Sequence, residues 1–179
     1  MIDVVLASKS AARRALLTAA GVIYTFEVSG VDEGAVKAAL MGEGLQSREI
    51  AVALAELKAL KVSTVRGGLV IGADQTLDLD GEIIDKALTL EAARYRLLSL
   101  RGRRHRLHSA VAVALDGVVV WREVATATMT VRSFSDAFLD QYLAIEGAAL
   151  LDFVGCYQLE GLGAQLFERI DGDYFAILG

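Results

Sequence analysis

The sequence predicts one α/β domain, and three observations support that prediction. First, 54% of the 179 residues are hydrophobic and 23% are charged, so the chain can build a sizeable core and falls outside the disordered class. Second, short apolar runs typical of strands alternate with segments of helical periodicity. Third, the pairs Asp80-Gly81 and Asp116-Gly117 each separate two apolar runs, as in two-residue β-hairpins.

Composition also narrows the class of function. The single cysteine, Cys156, excludes a disulfide scaffold and a CxxC metal or redox site. A net charge of -5 argues against a protein whose whole surface binds nucleic acid. Charges interrupt every apolar run before the ~18 residues of a membrane span, and the acidic Asp3 is unlike a secretory leader. We therefore expect a soluble, cytoplasmic protein with no membrane partner, as an unpaired thiol favours.

The first part of the chain predicts two strands and two helices. A valine-containing run over residues 2–7 predicts a strand, which Ser8-Lys9-Ser10 connects to a helix that ends at Gly21. Residues 24–29 predict a second strand, and residues 47–62 a second helix. The apolar face of that second helix would carry Ile50, Ala53, Leu54 and Leu57.

The second part of the chain predicts two hairpins, two helices and a turn-rich end. The hairpins join residues 69–79 to 82–86 and residues 107–115 to 118–121. Between them, residues 89–100 predict a helix with Ala92, Tyr95 and Leu98 on one face. A strand over residues 124–131 and a helix over residues 135–145 follow, the helix beginning at Ser135 and ending near Gly147. The glycine-rich residues 154–178 predict short strands and tight turns.

The turn Ser8-Lys9-Ser10 is the first candidate binding site. The first turn of a helix leaves backbone N–H groups unpaired and carries the positive end of the helix dipole, which suits an anion. Arg13 and Arg14 lie in that turn, where each arginine is unfavourable by a few tenths of a kcal/mol, roughly. A bound phosphate would offset that cost. In the alternative interpretation Ser10 is an ordinary helix cap and both arginines are solvated.

Asp74 is the second candidate because an acid within an apolar strand costs stability unless it is paired or used. In the simple register of the first hairpin, Gln75 lies opposite Lys86, and Asp74 is a diagonal neighbour of Asp85 at ~7–8 Å. Two carboxylates at that separation could hold a divalent cation or divide the roles of acid and base. The alternative is an acid at a strand end that faces water.

Two lysines and a basic run are further candidates. Lys58 and Lys61 lie on or beside the apolar face of the helix over residues 47–62, and for Lys61 we favour a side chain that extends into solvent. The basic run over residues 101–108 holds four arginines and both histidines. It lacks interleaved aromatic residues for stacking on bases. A solvated loop leading into a strand is therefore the favoured interpretation, and we expect no stable nucleic-acid binding.

Seven segments in order resemble the motifs of one known family. They are Leu6-Ala7-Ser8-Lys9-Ser10-Ala11-Ala12-Arg13-Arg14-Ala15-Leu16-Leu17, Val31-Asp32-Glu33, Ala55-Glu56-Leu57-Lys58-Ala59, Gly72-Ala73-Asp74-Gln75, Asp85-Lys86, Gly102-Arg103-Arg104-His105 and Gly155-Cys156-Tyr157-Gln158-Leu159-Glu160-Gly161. Each segment alone is a weak signal, but the seven in order are specific. They resemble the Maf-like nucleotide pyrophosphatases, the septum-formation family, over nearly the whole chain.

The resemblance implies a fold and an activity. The fold would be of the Maf and ITPase-like type, with a mixed twisted sheet, flanking helices and two lobes around a central cleft, in one domain over residues 1–179. The activity would be hydrolysis of a nucleoside triphosphate between its α and β phosphates, giving a nucleoside monophosphate and pyrophosphate. A divalent cation, Mg²⁺, Mn²⁺ or Co²⁺, would assist, and the enzyme would often be a homodimer.

The resemblance also implies roles for individual residues. Asp74 is similar to the acid that activates the attacking water. Contacts to phosphate or substrate are implied for Ser8, Arg13, Arg14, Glu33, Lys58 and Lys86. The candidate metal ligands are Asp74 and Glu33, and Asp85, which departs from the family pattern, would either add a third ligand or repel the substrate.

Finer features of the resemblance concern the base. The position of Arg13-Arg14, Gln75 after the acid, and Glu160 are similar to the branch that favours 7-methyl-GTP, but Ala12 stands where that branch usually has an aromatic residue. Ala12, Gln75 and Glu160 are therefore the candidate specificity residues. The candidate substrates are 7-methyl-GTP, dTTP and UTP, with modified nucleotides included.

This chain departs from the family pattern in ways that leave a second hypothesis open. Ala11 and Ala87 stand where the family has prolines, and this chain contains no proline at all. Asp85 stands where the family has a glycine. We expect the two alanine-containing loops to be looser by ~0.4–1 kcal/mol each. The chain reaches Gly179 before the family's last helix, which we expect to be missing. A nucleotide-binding regulator of cell division with weak or no catalysis remains the alternative to an enzyme.

Overall fold

Seven strands and six α-helices make up the part of the chain that the computed structural model describes, residues 3–179. The strands are Val4–Leu6 (β1), Thr25–Phe26 (β2), Leu69–Leu79 (β3), Glu82–Ile84 (β4), Arg104–Leu115 (β5), Val118–Val131 (β6) and Phe167–Asp171 (β7). The helices are Ala11–Ala19 (α1), Glu33–Gly42 (α2), Ser47–Ser63 (α3), Leu90–Leu100 (α4), Asp136–Glu146 (α5) and Tyr174–Leu178 (α6). Two 3₁₀ helices span Gly147–Asp152 and Leu162–Leu166.

All seven strands belong to one mixed sheet, which confirms the predicted α/β class. The strand order is β2-β1-β3-β5-β6-β7, and β4 pairs with β3. β1 runs parallel to both of its neighbours, with Leu6 in register with Phe26 on one side and Ile71 on the other. The pairs β3–β4 and β6–β7 are antiparallel, the second with an irregularity at Thr130.

The chain divides into two compact units. The first comprises the described residues up to Gln75, together with residues 108–125 and 178–179. The second comprises residues 76–107 and 126–177. Among residues 3–179, no helix combines the length and apolar character that crossing a membrane requires.

Small side chains let α3 pack closely on the sheet in the first unit. A Cβ atom on Gly72 of β3 would lie 2.1 Å from the carbonyl oxygen of Ala55 and 2.5 Å from the backbone nitrogen of Ala59. Buried alanines fill the same interface: Ala51, Ala55, Ala59, Ala110, Ala112 and Ala114. This close approach brings the middle of α3 against the strand that carries Asp74.

The core of the second unit is built from larger side chains. Leu97 and Leu100 of α4, Met129 of β6 and Leu139 of α5 are each no more than 1% exposed. They pack in one cluster with Tyr157 and other buried residues of the unit. Burial of such side chains supplies the main driving force for folding of this unit.

Both predicted hairpins are present with the predicted turns. Leu79 pairs with Glu82 across Asp80-Gly81, and the φ angles of these two turn residues are 56° and 91°. Asp116 and Gly117 adopt φ angles of 49° and 77° between β5 and β6. Positive φ at both central positions is what a type I′ turn requires.

The predicted helices α1, α3, α4 and α5 are confirmed. Of the predicted face of α3, Ile50 and Leu54 are buried together with the alanines, but Leu57 is 37% exposed. In α4 the predicted Tyr95 is 73% exposed, and the buried face carries Ala93 with Leu97. The alanines fit the short distance to the sheet, which a stripe of large residues would not allow.

Several other predicted boundaries also differ from the structure. The second strand is limited to Thr25–Phe26, and β6 is one continuous strand where two were expected. In the first strand, Ile2 lies outside the described residues. Residues 154–178 contain one strand, β7, beside helical turns. Helix α2 was not predicted, although the Asp32 side chain caps it by accepting the Ala35 backbone N–H at 3.0 Å.

The basic run is also not the loop that the sequence favoured, because β5 begins at Arg104. Arg101 and Arg103 form ion pairs with Asp136 at 2.6 Å and Asp80 at 2.5 Å. His105 is 2% exposed. Its Nε2 lies 2.6 Å from the hydroxyl oxygen of Tyr157. Along β5, the exposed Arg104 and Arg106 thus alternate with the buried His105, because successive side chains of a strand point to opposite faces.

The buried His105 predicts an acid-sensitive step in stability. Burial lowers the pKa of His105 to about 4 from 6.5. As the pH falls through 6.5, this histidine binds a proton in the unfolded chain, but in the folded chain it binds one only near pH 4. The free energy of unfolding therefore falls by up to ~3 kcal/mol across this window. We expect His105→Gln, which can still bond Tyr157, to flatten this dependence in urea unfolding across the window. An unchanged slope would contradict the assignment.

Candidate active site

The parallel strands β1 and β3 bring the first candidate segment beside Asp74. Leu6 at the end of β1 lies in register with Ile71, and the backbone N–H of Ala7 donates to the Ile71 carbonyl at 2.7 Å. The turn that begins at Ser8 therefore lies beside the part of β3 that carries Ala73 and Asp74. Ser8 is 9% exposed, so this turn faces protein as well as solvent.

Arg13 in the first turn of α1 contacts this part of β3 directly. The Ser10 hydroxyl caps α1 by accepting the Arg13 backbone N–H at 3.4 Å. The Arg13 guanidinium donates to the Ala73 carbonyl at 2.9 Å and to the Ser8 hydroxyl at 3.4 Å, and its Nε is buried without a hydrogen-bond partner. Burial lowers the pKa of Arg13, while the charges of Asp74 and Glu33 act in the opposite direction. Arg13 is therefore not the solvated arginine of the alternative interpretation.

Arg14 points to a different neighbour from Arg13. Its guanidinium carbon lies 4.7 Å from the ring centre of Phe26 on β2, which is a cation–π arrangement. Its Nε is also buried without a hydrogen-bond partner, and its carbonyl accepts the Tyr24 hydroxyl at 2.9 Å. The two adjacent arginines therefore have different surroundings, and in this structure only Arg13 bonds the strand that carries Asp74.

Lys58 connects two carboxylates that are far apart in the sequence. Its Nζ lies 2.6 Å from Asp74 Oδ1 and 2.8 Å from Glu33 Oε1, with the Ala73 carbonyl at 3.5 Å. Lys58 and Asp74 are each 5% exposed, whereas the Glu33 side chain is 47% exposed. An ammonium with two carboxylate partners and a carbonyl partner is well satisfied despite its burial.

The two carboxylates respond differently to this environment. Burial raises the pKa of Asp74, and Lys58 and Arg13 offset only part of that effect. Burial also acts to raise the pKa of Glu33, but the hydrogen bond and charge of Lys58, with the charges of Lys37 and Arg13, outweigh it, so the pKa is lowered. Two neighbouring acids with opposite pKa shifts are typical of a site that divides acid and base roles.

The second oxygen of Asp74 is the most unusual atom of the site. Asp74 Oδ2 is buried and has no hydrogen-bond partner, while Oδ1 is held by Lys58. Buried polar atoms are nearly always bonded, so an unpartnered carboxylate oxygen requires an explanation. It is available to accept a proton from water or to bind a cation.

The remaining candidate residues are divided between the two units. Gln75 donates to the Ser109 hydroxyl at 2.8 Å, and Ala12 is half-buried in α1. Lys86 and Glu160 are exposed residues of the second unit. The contact between Gln75 and Ser109 joins β3 to the neighbouring strand β5, and nothing in the sequence pointed to Ser109.

The expected pairing of Asp74 with Asp85 lacks support from the hairpin. β4 ends at Ile84, and its last described pair with β3 is Leu77 with Ile84, so the ladder stops before Asp85. Within residues 3–179, no group of three or more histidine, cysteine, aspartate or glutamate side chains is placed to hold a metal ion. Asp74 and Glu33 belong to the first unit and Asp85 to the second.

Two contacts beside Glu33 had no signal in the sequence. Lys61 remains exposed, as expected, but its Nζ donates to the Gly30 carbonyl at 2.5 Å. Arg66 pairs with Glu27 at 3.0 Å. These contacts tie Gly30 and Glu27 to the end of α3 and to the turn that follows it.

These contacts define a class of site. An ammonium holds one buried carboxylate, and a guanidinium from the first turn of a helix bonds the residue before it, which suits binding of an anion next to a general base. A family profile described as Maf-like protein matches residues 3–179. The chain belongs to the Maf family.

Individual relatives agree with this assignment. A protein of Caulobacter vibrioides named nucleoside triphosphate pyrophosphatase is 60% identical over 179 residues, which is 100% of this chain and 90% of that one. A protein of Mesorhizobium japonicum named 7-methyl-GTP pyrophosphatase is 46% identical over 177 residues, covering 98% and 89%. A HAM1 protein from Coxiella burnetii has a similar fold, with a TM-score of 0.51 over 75% of each chain and 16% identity.

Proposed function

We propose that this protein is a nucleoside triphosphate pyrophosphatase that cuts its substrate between the α and β phosphates. The names of its relatives support this activity. The observation that carries the proposal is Asp74, a buried carboxylate with one oxygen held by Lys58 and the other without a partner. The products are a nucleoside monophosphate and pyrophosphate.

Asp74 is the general base in this proposal. Lys58 fixes Oδ1, so that Oδ2 is the oxygen that accepts a proton from the attacking water. Burial raises the pKa of Asp74, which makes its carboxylate a better proton acceptor. The deprotonated water then attacks the α phosphorus, and pyrophosphate leaves.

The cations of the site bind and stabilise the phosphate chain. Lys58 is a buried cation and Arg13 a half-buried one next to the base, and Ser8 and the start of α1 supply neutral donors. Charge stabilisation at the transferring phosphoryl group is the main catalytic task in such reactions. The family resemblance adds two further cations to this set, Arg14 and Lys86 of the second unit.

A divalent cation fits part of the donor set. Mg²⁺, Mn²⁺ and Co²⁺ accept carboxylate oxygen ligands, and Mg²⁺ sites commonly use one or two carboxylates together with substrate phosphates and water. The half-exposed carboxylate of Glu33, together with substrate phosphates and water, would hold it, which leaves Asp74 Oδ2 free as the proton acceptor. When bound, the cation neutralises charge on the phosphate oxygens. A homodimer, as the family resemblance implies, and a cytoplasmic location, as the unpaired thiol favours, complete the proposal.

The base specificity is tested by a panel of nucleotides. We expect pyrophosphate from a triphosphate in the presence of Mg²⁺, Mn²⁺ or Co²⁺, with 7-methyl-GTP, dTTP and UTP as the first candidates. Ala12 offers no ring on which a methylated, positively charged base could stack, so a strong preference for 7-methyl-GTP would have to arise from Gln75 and Glu160. Binding without turnover in calorimetry would instead favour a nucleotide-binding regulator.

A further inference from the structure

Two segments of the second unit carry residues that the proposed function assigns to the substrate. One is Asp85-Lys86-Ala87, which follows β4, and the other is the stretch from Val154 to Glu160. They are about seventy residues apart in the chain. What holds them together therefore decides how Lys86 and Glu160 are placed relative to each other.

Arg96 of α4 bridges these two segments. A single guanidinium nitrogen, Nη1, donates to the Asp85 carbonyl at 2.5 Å and to the Val154 carbonyl at 2.8 Å. Both acceptors are main-chain atoms, and hydrogen bonds from a charged donor are stronger than neutral ones. The bridge therefore fixes backbone positions in both segments at once.

A second contact joins the same segments without Arg96. The backbone N–H of Ala87 hydrogen-bonds the Cys156 thiol. Ala87 is 4% exposed and Cys156 is 0% exposed. The family's proline at this position would have no N–H to donate, so alanine here adds an anchor.

The second segment is itself closely packed. Cys156 adopts a φ of 57°, and its carbonyl accepts the Tyr142 hydroxyl at 3.2 Å. A Cβ atom on Gly155 would lie 2.1 Å from the Tyr157 ring. One on Gly163 would lie 2.3 Å from the Gln158 carbonyl oxygen. The tie between Val154 and Asp85 therefore acts on a closely packed stretch of chain that leads to Glu160.

We propose that Arg96 is a positioning residue for substrate recognition: by tying Asp85 to Val154, it sets the spacing between Lys86 and Glu160 and thereby the selectivity among bases. This inference rests on the proposed function. Arg96 acts through main-chain carbonyls, whereas Lys86 and Glu160 contact the substrate. A small displacement of a positioned group is enough to cost up to ~10²-fold in rate.

The test replaces Arg96 with methionine and uses Arg94 as a matched control. Arg94 lies two residues earlier on α4 and forms a surface ion pair with Asp140, so Arg94→Met removes the same group from the same helix. For Arg96→Met we expect KM for the preferred triphosphate to rise about tenfold, with a smaller ratio of kcat/KM between that triphosphate and the others. Backbone hydrogen exchange should become faster in residues 85–88 and 154–160. Arg94→Met should match the wild type in both measurements.

Arg96→Lys keeps the charge and part of the donor set, and it should recover part of the lost selectivity and exchange protection. If Arg96→Met does not fold, the same two measurements on Arg96→Lys decide the question. Selectivity and exchange equal to those of Arg94→Met would overturn the proposal. If the wild type releases no pyrophosphate from any triphosphate, the proposed function fails. In that case, backbone hydrogen exchange in Arg96→Met that equals the wild type in both segments would separately show that Arg96 does not tie them together.

Discussion

Replacing Asp74 with asparagine is expected to remove about 10²- to 10⁴-fold of the turnover, the range that general-base catalysis contributes, while the protein remains folded. Asparagine keeps the shape of the side chain but cannot accept the proton of the attacking water. Lys58 retains its 2.8 Å contact with Glu33, so it is not left as an isolated buried charge. Pyrophosphate release and thermal unfolding measure the two effects.

The change in stability on Asp74→Asn substitution also has an expected direction. Because burial raises the pKa of Asp74, ionising it costs folding free energy. That cost is absent below the pKa of the unfolded chain and grows as the pH rises towards the folded pKa. The neutral asparagine side chain avoids this cost, so the Asp74→Asn variant should be at least as stable as the wild type near neutral pH.

A matched control lies four residues further along the same strand. Asp78 of β3 accepts the Gly81 backbone N–H at 2.7 Å, and Asp78→Asn makes the same chemical change away from the proposed base. It should keep nearly full turnover. Turnover retained in Asp74→Asn would remove Asp74 from the role of base.

Replacing Lys58 with methionine is expected to be nearly as damaging. The variant loses a cation beside the phosphate site, at a cost of about 10²- to 10³-fold in kcat. It also leaves a buried carboxylate without its main partner, which costs up to about 3–5 kcal/mol of stability. Lys58 lowers the pKa of Asp74, so its removal raises that pKa and moves the acid limb of the kcat/KM profile to higher pH.

Lys61→Met is the control for this experiment. It removes the same charge from α3 one turn further on, where the amine bonds only the Gly30 carbonyl among the contacts described. The acid limb should not move in this variant. An acid limb that stays in place in Lys58→Met, or an equal loss of activity in Lys61→Met, would contradict the role assigned to Lys58.

Local chemistry explains which parts of the structure were predictable from sequence. The Asp-Gly pairs predict their hairpins because few residues adopt positive φ at two successive positions. Ser10 predicts the start of α1 because its hydroxyl caps the first turn. Asp74 stands out as an acid in a buried strand. Each of these signals lies within a few residues of the feature it predicts.

The partners of Asp74 were not predictable in this way. Lys58 meets Asp74 and Glu33 only because α3 packs on β3 through Gly72 and the alanines, a contact between distant segments. Helix α2, which carries Glu33, escaped prediction because Gly34 and Gly42 weaken its helical pattern. The family resemblance named Lys58 and Glu33 as site residues without indicating that they contact each other.

Arg96 had no sequence signal of any kind. Its acceptors are backbone carbonyls, which every residue has, so no partner residue type marks the contact. The same is true of Lys61 and Gly30. Contacts of this kind become visible only once the fold is known.

The position of bond cleavage tests the central claim most directly. A turnover in water enriched in heavy oxygen, followed by mass spectrometry of both products, shows which phosphorus the water attacks. Attack at the α phosphorus predicts pyrophosphate free of label and a nucleoside monophosphate that carries one heavy oxygen. Release of orthophosphate with a nucleoside diphosphate, or label found in the pyrophosphate, would contradict the account.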